Sequence, residues 1–159
     1  MERINRILAS SKYIEYLKKN DEAEKTRVFC HHDLRHAIDV ARVAYILSLE
    51  EQIPISKDMI YAASLLHDIG RWKEYLDGSD HAVISADLAL GILENSGFKS
   101  KEQKYIYDAI KNHRTTDGQS TALDRILYTS DKISRPCHTC HAIEACKRFE
   151  DGKKPKLSY

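Results

Sequence analysis

The most informative stretch of the sequence is Leu65–Gly70, which has the sequence LLHDIG. It closes an apolar segment that begins after Ser56, a residue type favoured at the N-cap of a helix. Imidazole and carboxylate groups are costly to bury unless they are paired or coordinated, so His67 and Asp68 need a partner at the end of such a helix. A divalent ion would satisfy both side chains. The alternative is a hydrogen-bonded histidine beside a solvated aspartate.

A second His-Asp dipeptide, His32-Asp33, shows that the dipeptide alone is weak evidence. The context separates the two pairs. His32-Asp33 opens a helix, where an aspartate is favoured by the helix dipole. Since His67-Asp68 instead closes an apolar helix, it is the pair that we expect at a functional site.

The remainder of the chain is patterned for helices, with apolar residues at helical spacing and no sustained alternation. Further helices are predicted at 4–17, 32–50, 83–93, 100–112 and 122–133 and after Pro136, with a loop at 18–27. Ser100 and Gln103 predict a capping box, and Gly70 a helix C-terminus. The fold class is therefore all-α, a single compact helical domain of about six to seven helices over residues 1–150. Residues 151–159 are predicted to form a basic, mobile tail.

Charge and hydropathy exclude several classes of protein. The 159 residues carry 25 Lys and Arg against 24 Asp and Glu, a net charge of +1, so composition gives no basic face and nucleic acid is not an implied partner. No stretch approaches the roughly 20 apolar residues of a membrane-spanning helix, and Met1–Arg6 is unlike a signal peptide. We predict a cytoplasmic protein without a membrane partner, in which cysteines are thiols or metal ligands.

Two more residues place the His67-Asp68 pair in a larger pattern. His36 lies on the predicted buried helix, and Asp131 lies on another helix. With this order of His, His-Asp and Asp, the sequence resembles the HD superfamily of metal-dependent phosphohydrolases from about residue 28 to 136. The resemblance implies an HD-type helical domain in which His36, His67, Asp68 and Asp131 hold a metal ion. His32, one turn before His36, is left as an outer-shell partner or a substrate contact.

Two further histidines extend the resemblance. His81 follows the turn at Asp77–Asp80, and His113 ends a helix. Superfamily members with a two-metal centre place a histidine at each point, which implies that Asp68 bridges two ions. Otherwise His81 is only a helix-start residue, and His113 a residue favoured by the dipole at a helix C-terminus. The region from His67 to Arg135 is also similar to bacterial HD hydrolases that cleave diadenosine tetraphosphate symmetrically, which does not assign the substrate.

The predicted chemistry is hydrolysis by a metal-activated water. Imidazole and carboxylate ligands select one or two divalent ions among Fe, Mn, Zn, Ni, Co and Mg, and such an ion lowers the pKa of bound water. We assign Asp68 and Asp131 to orient the water, and Arg71 and Lys132 to bind the phosphates of a small phosphorylated substrate, such as a nucleotide. Arg114 is a weaker candidate. Each of these cations has the alternative interpretation of a solvated surface charge.

The predicted function is therefore that of a metal-dependent phosphohydrolase acting on a phosphate ester or nucleotide. One alternative is a non-catalytic, metal- or nucleotide-binding regulatory HD domain that has kept the ligands without turnover. Another is an oxygenase with a mixed-valent di-iron pair, a chemistry known in the superfamily. The sequence leaves the oligomeric state open.

The cysteines near the C-terminus are not explained by the resemblance. On a helix, Cys137, Cys140 and His141 would share a face and Cys146 would point away. A small zinc site, a redox-responsive pair Cys137–Cys140 and reduced, half-buried thiols are the three interpretations. Cys30, alone in the first half of the chain, supplies no second cysteine pair.

Overall fold

The chain forms eight α-helices and no strand in a computed structural model that describes all 159 residues. The helices are α1 (Glu2–Ala9), α2 (Ser11–Ala23), α3 (Leu34–Glu50), α4 (Lys57–Leu66), α5 (Arg71–Asp77), α6 (His81–Asn95), α7 (Ser100–Asn112) and α8 (Ala122–Ile133). The predicted all-α fold class is confirmed. No helix combines the length and the apolar character that crossing a bilayer requires.

Helix α4 lies at the centre of the fold. The Ser56 hydroxyl caps it by accepting a hydrogen bond from the Met59 N–H at 3.3 Å, as the sequence predicts. Its C-terminal half is almost entirely buried, and the helix packs against α1, α3, α6, α7 and α8. Because the chain leaves α4 inside the core, the next side chain, that of His67, is completely buried.

The N-terminal segment differs from the prediction. It is divided at Ser10, whose hydroxyl caps α2 by accepting from the Tyr13 N–H, and α2 continues to Ala23 through much of the predicted loop. Two of the polar residues that suggested a loop, Asn20 and Glu24, are buried and hydrogen-bonded, and most of the others are exposed. The side chain of Asn20 donates to the Asp68 carbonyl at 2.8 Å and accepts from the Trp72 N–H at 2.9 Å. The polarity of these two residues reflects polar partners in the interior and does not indicate a loop.

Gly70 has a role other than the predicted one. Helix α4 ends at Leu66, and Gly70 is the N-cap of α5 with a negative φ of −96°. A Cβ atom at Gly70 would lie 2.7 Å from Ile84 Cγ2 and 2.8 Å from the Ser85 backbone nitrogen. Only glycine therefore allows the turn after His67 to pack directly against α6, where the Gly70 N–H donates to Ser85 Oγ at 2.9 Å.

Two further local predictions are wrong. The N-cap of α7 is Lys99, whose N–H donates to the Glu102 carboxylate at 2.8 Å, so Ser100 and Gln103 form no capping box. After Pro136 the chain forms three single 3-10 turns, Cys137–Thr139, Ile143–Ala145 and Lys147–Phe149, instead of a helix. None of the residues in these turns is fully buried, so no apolar face is present to support an α-helix.

Candidate metal centre

The six residues predicted as metal ligands come together in two groups that share Asp68. The first group is His36 from α3, His67 and Asp68 from the turn after α4, and Asp131 from α8; the second is Asp68, His81 at the start of α6, and His113 at the end of α7. Within each group, one nitrogen or oxygen atom per residue lies within 4.8 Å of the others. The fold thus places ligand atoms from distant parts of the chain around two neighbouring points.

The spacing in the first group fits coordination of an ion. His67 Nε2 lies 2.9 Å from Asp68 Oδ2, and His36 Nε2 lies 3.2 Å from Asp131 Oδ1. Two ligands at a right angle on an ion, each at about 2.1 Å, would be about 3 Å apart. Both Nε2 atoms are buried and have no hydrogen-bond partner. The donor atoms therefore point at a common position rather than at each other.

The second group uses the other oxygen of Asp68. Asp68 Oδ1 lies 3.1 Å from His81 Nε2 and 3.7 Å from His113 Nε2, and the two nitrogens are 3.3 Å apart. Asp68 Oδ1 is also buried without a hydrogen-bond partner. With one carboxylate oxygen in each group, Asp68 has the orientation of a bridging ligand.

Hydrogen bonds at Nδ1 orient three of these histidines. The Nδ1 of His67 donates to the Ser64 carbonyl at 2.7 Å, and that of His113 donates to the Ile110 carbonyl at 2.6 Å. The Nδ1 of His81 lies 2.7 Å from the Glu74 carboxylate. A proton held at Nδ1 leaves the lone pair of Nε2 directed into the centre, which is the arrangement typical of metal-bound histidines.

His32 lies beside the centre but in neither ligand group. Its Nε2 is 3.9 Å from Asp68 Oδ2, while its Nδ1 and its backbone N–H both bond to the carboxylate of Glu24. Glu24 also accepts from the Tyr75 hydroxyl at 2.8 Å. Burial lowers the pKa of His32, which keeps its imidazole neutral. The structure gives His32 the position of an outer-shell partner, and its ring also borders the cavity described below.

The electrostatics of the site favour a bound cation. Burial acts to raise the pKa of Asp68 and Asp131, yet the neighbouring histidines hold both well below their usual values. Burial likewise disfavours protonated His67, but the two carboxylates raise its pKa to about 10. Two buried carboxylates thus require positive charge nearby, and a divalent ion can supply more of it than a proton on one imidazole.

A cavity of about 210 Å³ opens onto the centre, and none of its lining residues is hydrophobic. Four cations are on its wall: Arg71, Arg114, Lys132 and Arg135. The Lys132 ammonium donates to Asp131 Oδ2 at 2.6 Å, and an Arg71 guanidinium nitrogen lies 2.9 and 3.0 Å from the two ring nitrogens of His81. The predicted cations Arg71 and Lys132 therefore face the same space as the ligand groups, as does the weaker candidate Arg114.

The sequence interpretation missed three residues that support the site. Arg135 donates to Asp131 Oδ1 at 2.8 Å and to the Asp131 carbonyl at 3.0 Å. The sequence could have indicated this contact, because two residues that are four positions apart near the end of a helix are neighbours. The roles of Glu24 and Glu74, the carboxylates that contact His32 and His81, could not be predicted from the sequence. Only the folded chain shows which histidine each one contacts.

Comparison with known proteins agrees with this geometry. The HD domain family matches residues 33–135. An uncharacterized protein of Clostridium beijerinckii is 38% identical over 159 residues, which are the full length of both chains. Ribonuclease Y of Lawsonia intracellularis is 34% identical over 121 residues, 74% of this chain; the chain spans only 21% of that protein's length.

A solved structure gives the same result. The crystal structure of a predicted HD superfamily hydrolase from an uncultured Thermotogales bacterium superimposes with a TM-score of 0.60 at 32% identity, covering 76% of this chain and 66% of the other. These proteins give no support to the similarity with diadenosine tetraphosphate hydrolases. The helical fold and the order of the candidate ligands agree with the family match over residues 33–135. The chain therefore belongs to the HD domain family.

Proposed function

We propose that this chain is a metal-dependent phosphohydrolase that cleaves a phosphate ester of a small phosphorylated substrate, such as a nucleotide, at a binuclear centre. The carrying observation is the orientation of Asp68, which directs one oxygen into each of two groups of histidines. Unpartnered, buried Nε2 atoms of His36 and His67 and the unpartnered Asp68 Oδ1 support it. Such atoms are costly to bury unless a ligand completes them.

The proposed metal ligands are the two groups themselves. His36, His67, Asp68 and Asp131 would hold one ion, and Asp68, His81 and His113 a second, drawn from Fe, Mn, Zn, Ni, Co or Mg. When bound, such ions supply a hydroxide near neutral pH and polarise the phosphoryl oxygens.

The carboxylates are suited to orienting water rather than to removing its proton. Asp131 is held by Lys132 and Arg135, and its pKa lies well below the usual value, so it is a weak base at neutral pH. A carboxylate of this kind accepts a hydrogen bond from water and fixes its direction. We assign this role to Asp131 and to Asp68.

The cations on the cavity wall are assigned to the substrate phosphate. Arg71, Lys132, Arg135 and Arg114 border a space of about 210 Å³, which is smaller than the roughly 300–1,000 Å³ of most ligand pockets. That size suits a phosphate group rather than a whole nucleotide. A neighbouring cavity of about 400 Å³, which borders His36 and Arg135 and includes Phe29, would take the remainder of the substrate.

Ribonuclease activity is the second candidate. Several matched relatives are named ribonuclease Y, and cleavage of an RNA phosphodiester uses the same chemistry. It ranks second because the chain spans about a fifth of the length of those proteins and its net charge of +1 gives no general basic surface.

A metal-supplemented hydrolysis screen tests both candidates. The substrates are phosphomonoesters, phosphodiesters, nucleotides, dinucleoside polyphosphates and a short single-stranded RNA, each with wild type and His67→Ala. We expect turnover of a small phosphorylated compound that is abolished in His67→Ala. Turnover of RNA alone would support the second candidate. Metal and nucleotide binding without turnover would overturn the enzymatic proposal in favour of a regulatory domain.

A further inference from the structure

The four cysteines of the chain border a single cavity. Cys30, Cys137, Cys140 and Cys146 are all free, half-buried thiols, and all line a space of about 270 Å³ between the loop before α3 and the turns after α8. The sequence interpretation left Cys30 isolated and placed Cys146 on the opposite face of a helix. The placement of Cys146 was wrong, because the C-terminal segment is not helical, and its turns line the same cavity as the loop that contains Cys30.

Short turns bring the last three cysteines to this cavity. The Cys140 N–H donates to the Cys137 carbonyl at 3.3 Å, which closes the first turn. The Cys146 N–H donates to the Ile143 carbonyl at 3.1 Å, and Cys146 then accepts from the Phe149 N–H at 2.8 Å. No residue of the three turns is fully buried, so the segment has no hydrophobic core of its own. A metal ion or a disulfide is one way in which small folds compensate for a missing core.

We propose that Cys30, Cys137, Cys140 and Cys146 bind a structural zinc ion. Four thiolates in a tetrahedron are a preferred zinc environment, with Zn–S bonds of about 2.3 Å. No three of the four sulfurs lie within 4.8 Å of one another, so binding would have to draw them inward from the cavity wall. His141, which the sequence offered as a ligand, is not among the lining residues.

The charges around the cavity fit this ligand set. Zinc with four thiolates is a dianion, which needs neighbouring positive groups when it is partly buried. Arg27, Arg135 and Lys147 line the same cavity, and the Arg27 Nε donates to the Cys30 carbonyl at 2.9 Å.

The site would also connect two parts of the molecule. Arg135 lines this cavity and donates to Asp131 Oδ1 at 2.8 Å. A zinc ion bound here would hold residues 137–149 against the loop before α3 and thereby fix one side of the candidate centre. The zinc proposal does not depend on the phosphohydrolase proposal, because none of its four ligands belongs to the two groups of the candidate centre.

The test uses an Asp68→Ala background, in which both ligand groups of the candidate HD centre lack their shared carboxylate. Protein purified without chelator is analysed for zinc, and a second sample is loaded with Co²⁺. We expect one zinc per chain and a near-ultraviolet sulfur-to-cobalt charge-transfer band, which histidine and carboxylate ligands cannot produce. Both signals should be lost in Cys137→Ser and Cys146→Ser and retained in the controls His138→Ala and His141→Ala.

Two outcomes would overturn the proposal. One is a protein with four titratable thiols, no zinc and no charge-transfer band. The other is a protein purified without reductant that has fewer titratable thiols and no zinc, which would indicate a disulfide. If the serine variants do not fold, titration of the Asp68→Ala protein with an organomercurial decides the matter. Zinc release in proportion to blocked thiols is expected, and release without thiol blockage would contradict the site.

Discussion

The two ligand groups of the candidate centre differ in their support. The first group has four side chains, from α3, α8 and the turn after α4, all of which pack on the core. The second has three, including the shared Asp68, and its His81 is held by Glu74 from α5, a short helix without a fully buried residue. Arg71 of the same helix also contacts the His81 ring. We therefore expect the first group to bind an ion tightly and the second to bind one more weakly.

The largest effect is expected from Asp68→Asn. This change removes the carboxylate shared by both groups and leaves three ligands in the first group and two in the second. The second ion should therefore be lost, the first should bind more weakly, and hydrolysis should fall by about 10³-fold or more. Elemental analysis and turnover measure the two effects. Asp33→Asn, in the other His-Asp pair, is the matched control for metal content, because asparagine caps α3 as well as aspartate does. Retention of both ions in Asp68→Asn would contradict the shared-ligand arrangement.

Single histidine variants distinguish the two groups. His113→Ala leaves two ligands in the second group, so the metal content should fall by one ion and hydrolysis by about 10²-fold. His36→Ala leaves three ligands in the first group, which should keep its ion with about 10- to 100-fold lower affinity. Metal content at a series of free metal concentrations measures both. Equal behaviour of the two variants would show that the groups are equivalent.

The dependence of the second group on α5 is tested by Glu74→Gln. Loss of the carboxylate behind His81 should weaken binding of the second ion by about 10- to 100-fold and leave the first unchanged. Competition with a chelator of known affinity measures this difference. The exposed Glu94 on α6, changed to Gln, controls for the loss of charge. A uniform weakening of both ions would point to a general electrostatic effect instead.

The packing of the turn after His67-Asp68 against α6, the helix that carries His81, is tested at Gly70. Gly70→Ala places a methyl group 2.7 Å from Ile84 Cγ2 and 2.8 Å from the Ser85 nitrogen, so the free energy of unfolding should fall by about 1–3 kcal/mol. Gly91→Ala, within α6 and with open space around the added methyl, should instead raise it by about 0.5–1 kcal/mol. Urea denaturation of the two variants measures both changes, and a neutral Gly70→Ala would contradict the close packing.

The smallest effect is expected from Glu24→Gln, which removes the carboxylate that holds His32. Burial opposes ionisation of Glu24, but its bonds to His32 lower its pKa to about 2 from a usual 4.5. A lowered carboxyl pKa stabilises the fold above the unfolded-state value, and this stability is lost as the pH falls from about 4.5 to about 2. Wild type should lose about 1–2 kcal/mol more over this range than Glu24→Gln. Denaturation at several pH values measures the difference, and parallel curves would contradict it.

The sequence predicted the helices and ligand candidates better than their surroundings. The pattern of α4 and the His67-Asp68 pair at its end could be recognised from regular apolar spacing. His36 and Asp131 were assigned as ligands through the resemblance to the HD superfamily. The segment of Asn20 and Glu24 could not be recognised, because buried polar residues look like a loop until their partners are known. The predicted helix after Pro136 failed for a similar reason. Cysteines at helical spacing do not make a helix without an apolar face to bury.

The two hydrogen bonds of the Asn20 side chain indicate which part of the chain is needed to form the candidate centre. The family match starts at residue 33, so a fragment of residues 33–135 would contain all six ligand candidates. It would nevertheless lack Asn20, which holds the backbone of Asp68 and Trp72, and Glu24, which orients His32. The first two helices are therefore part of the centre rather than an appendage to it. Relatives that share only the matched segment need another solution for positioning the aspartate of the His-Asp pair.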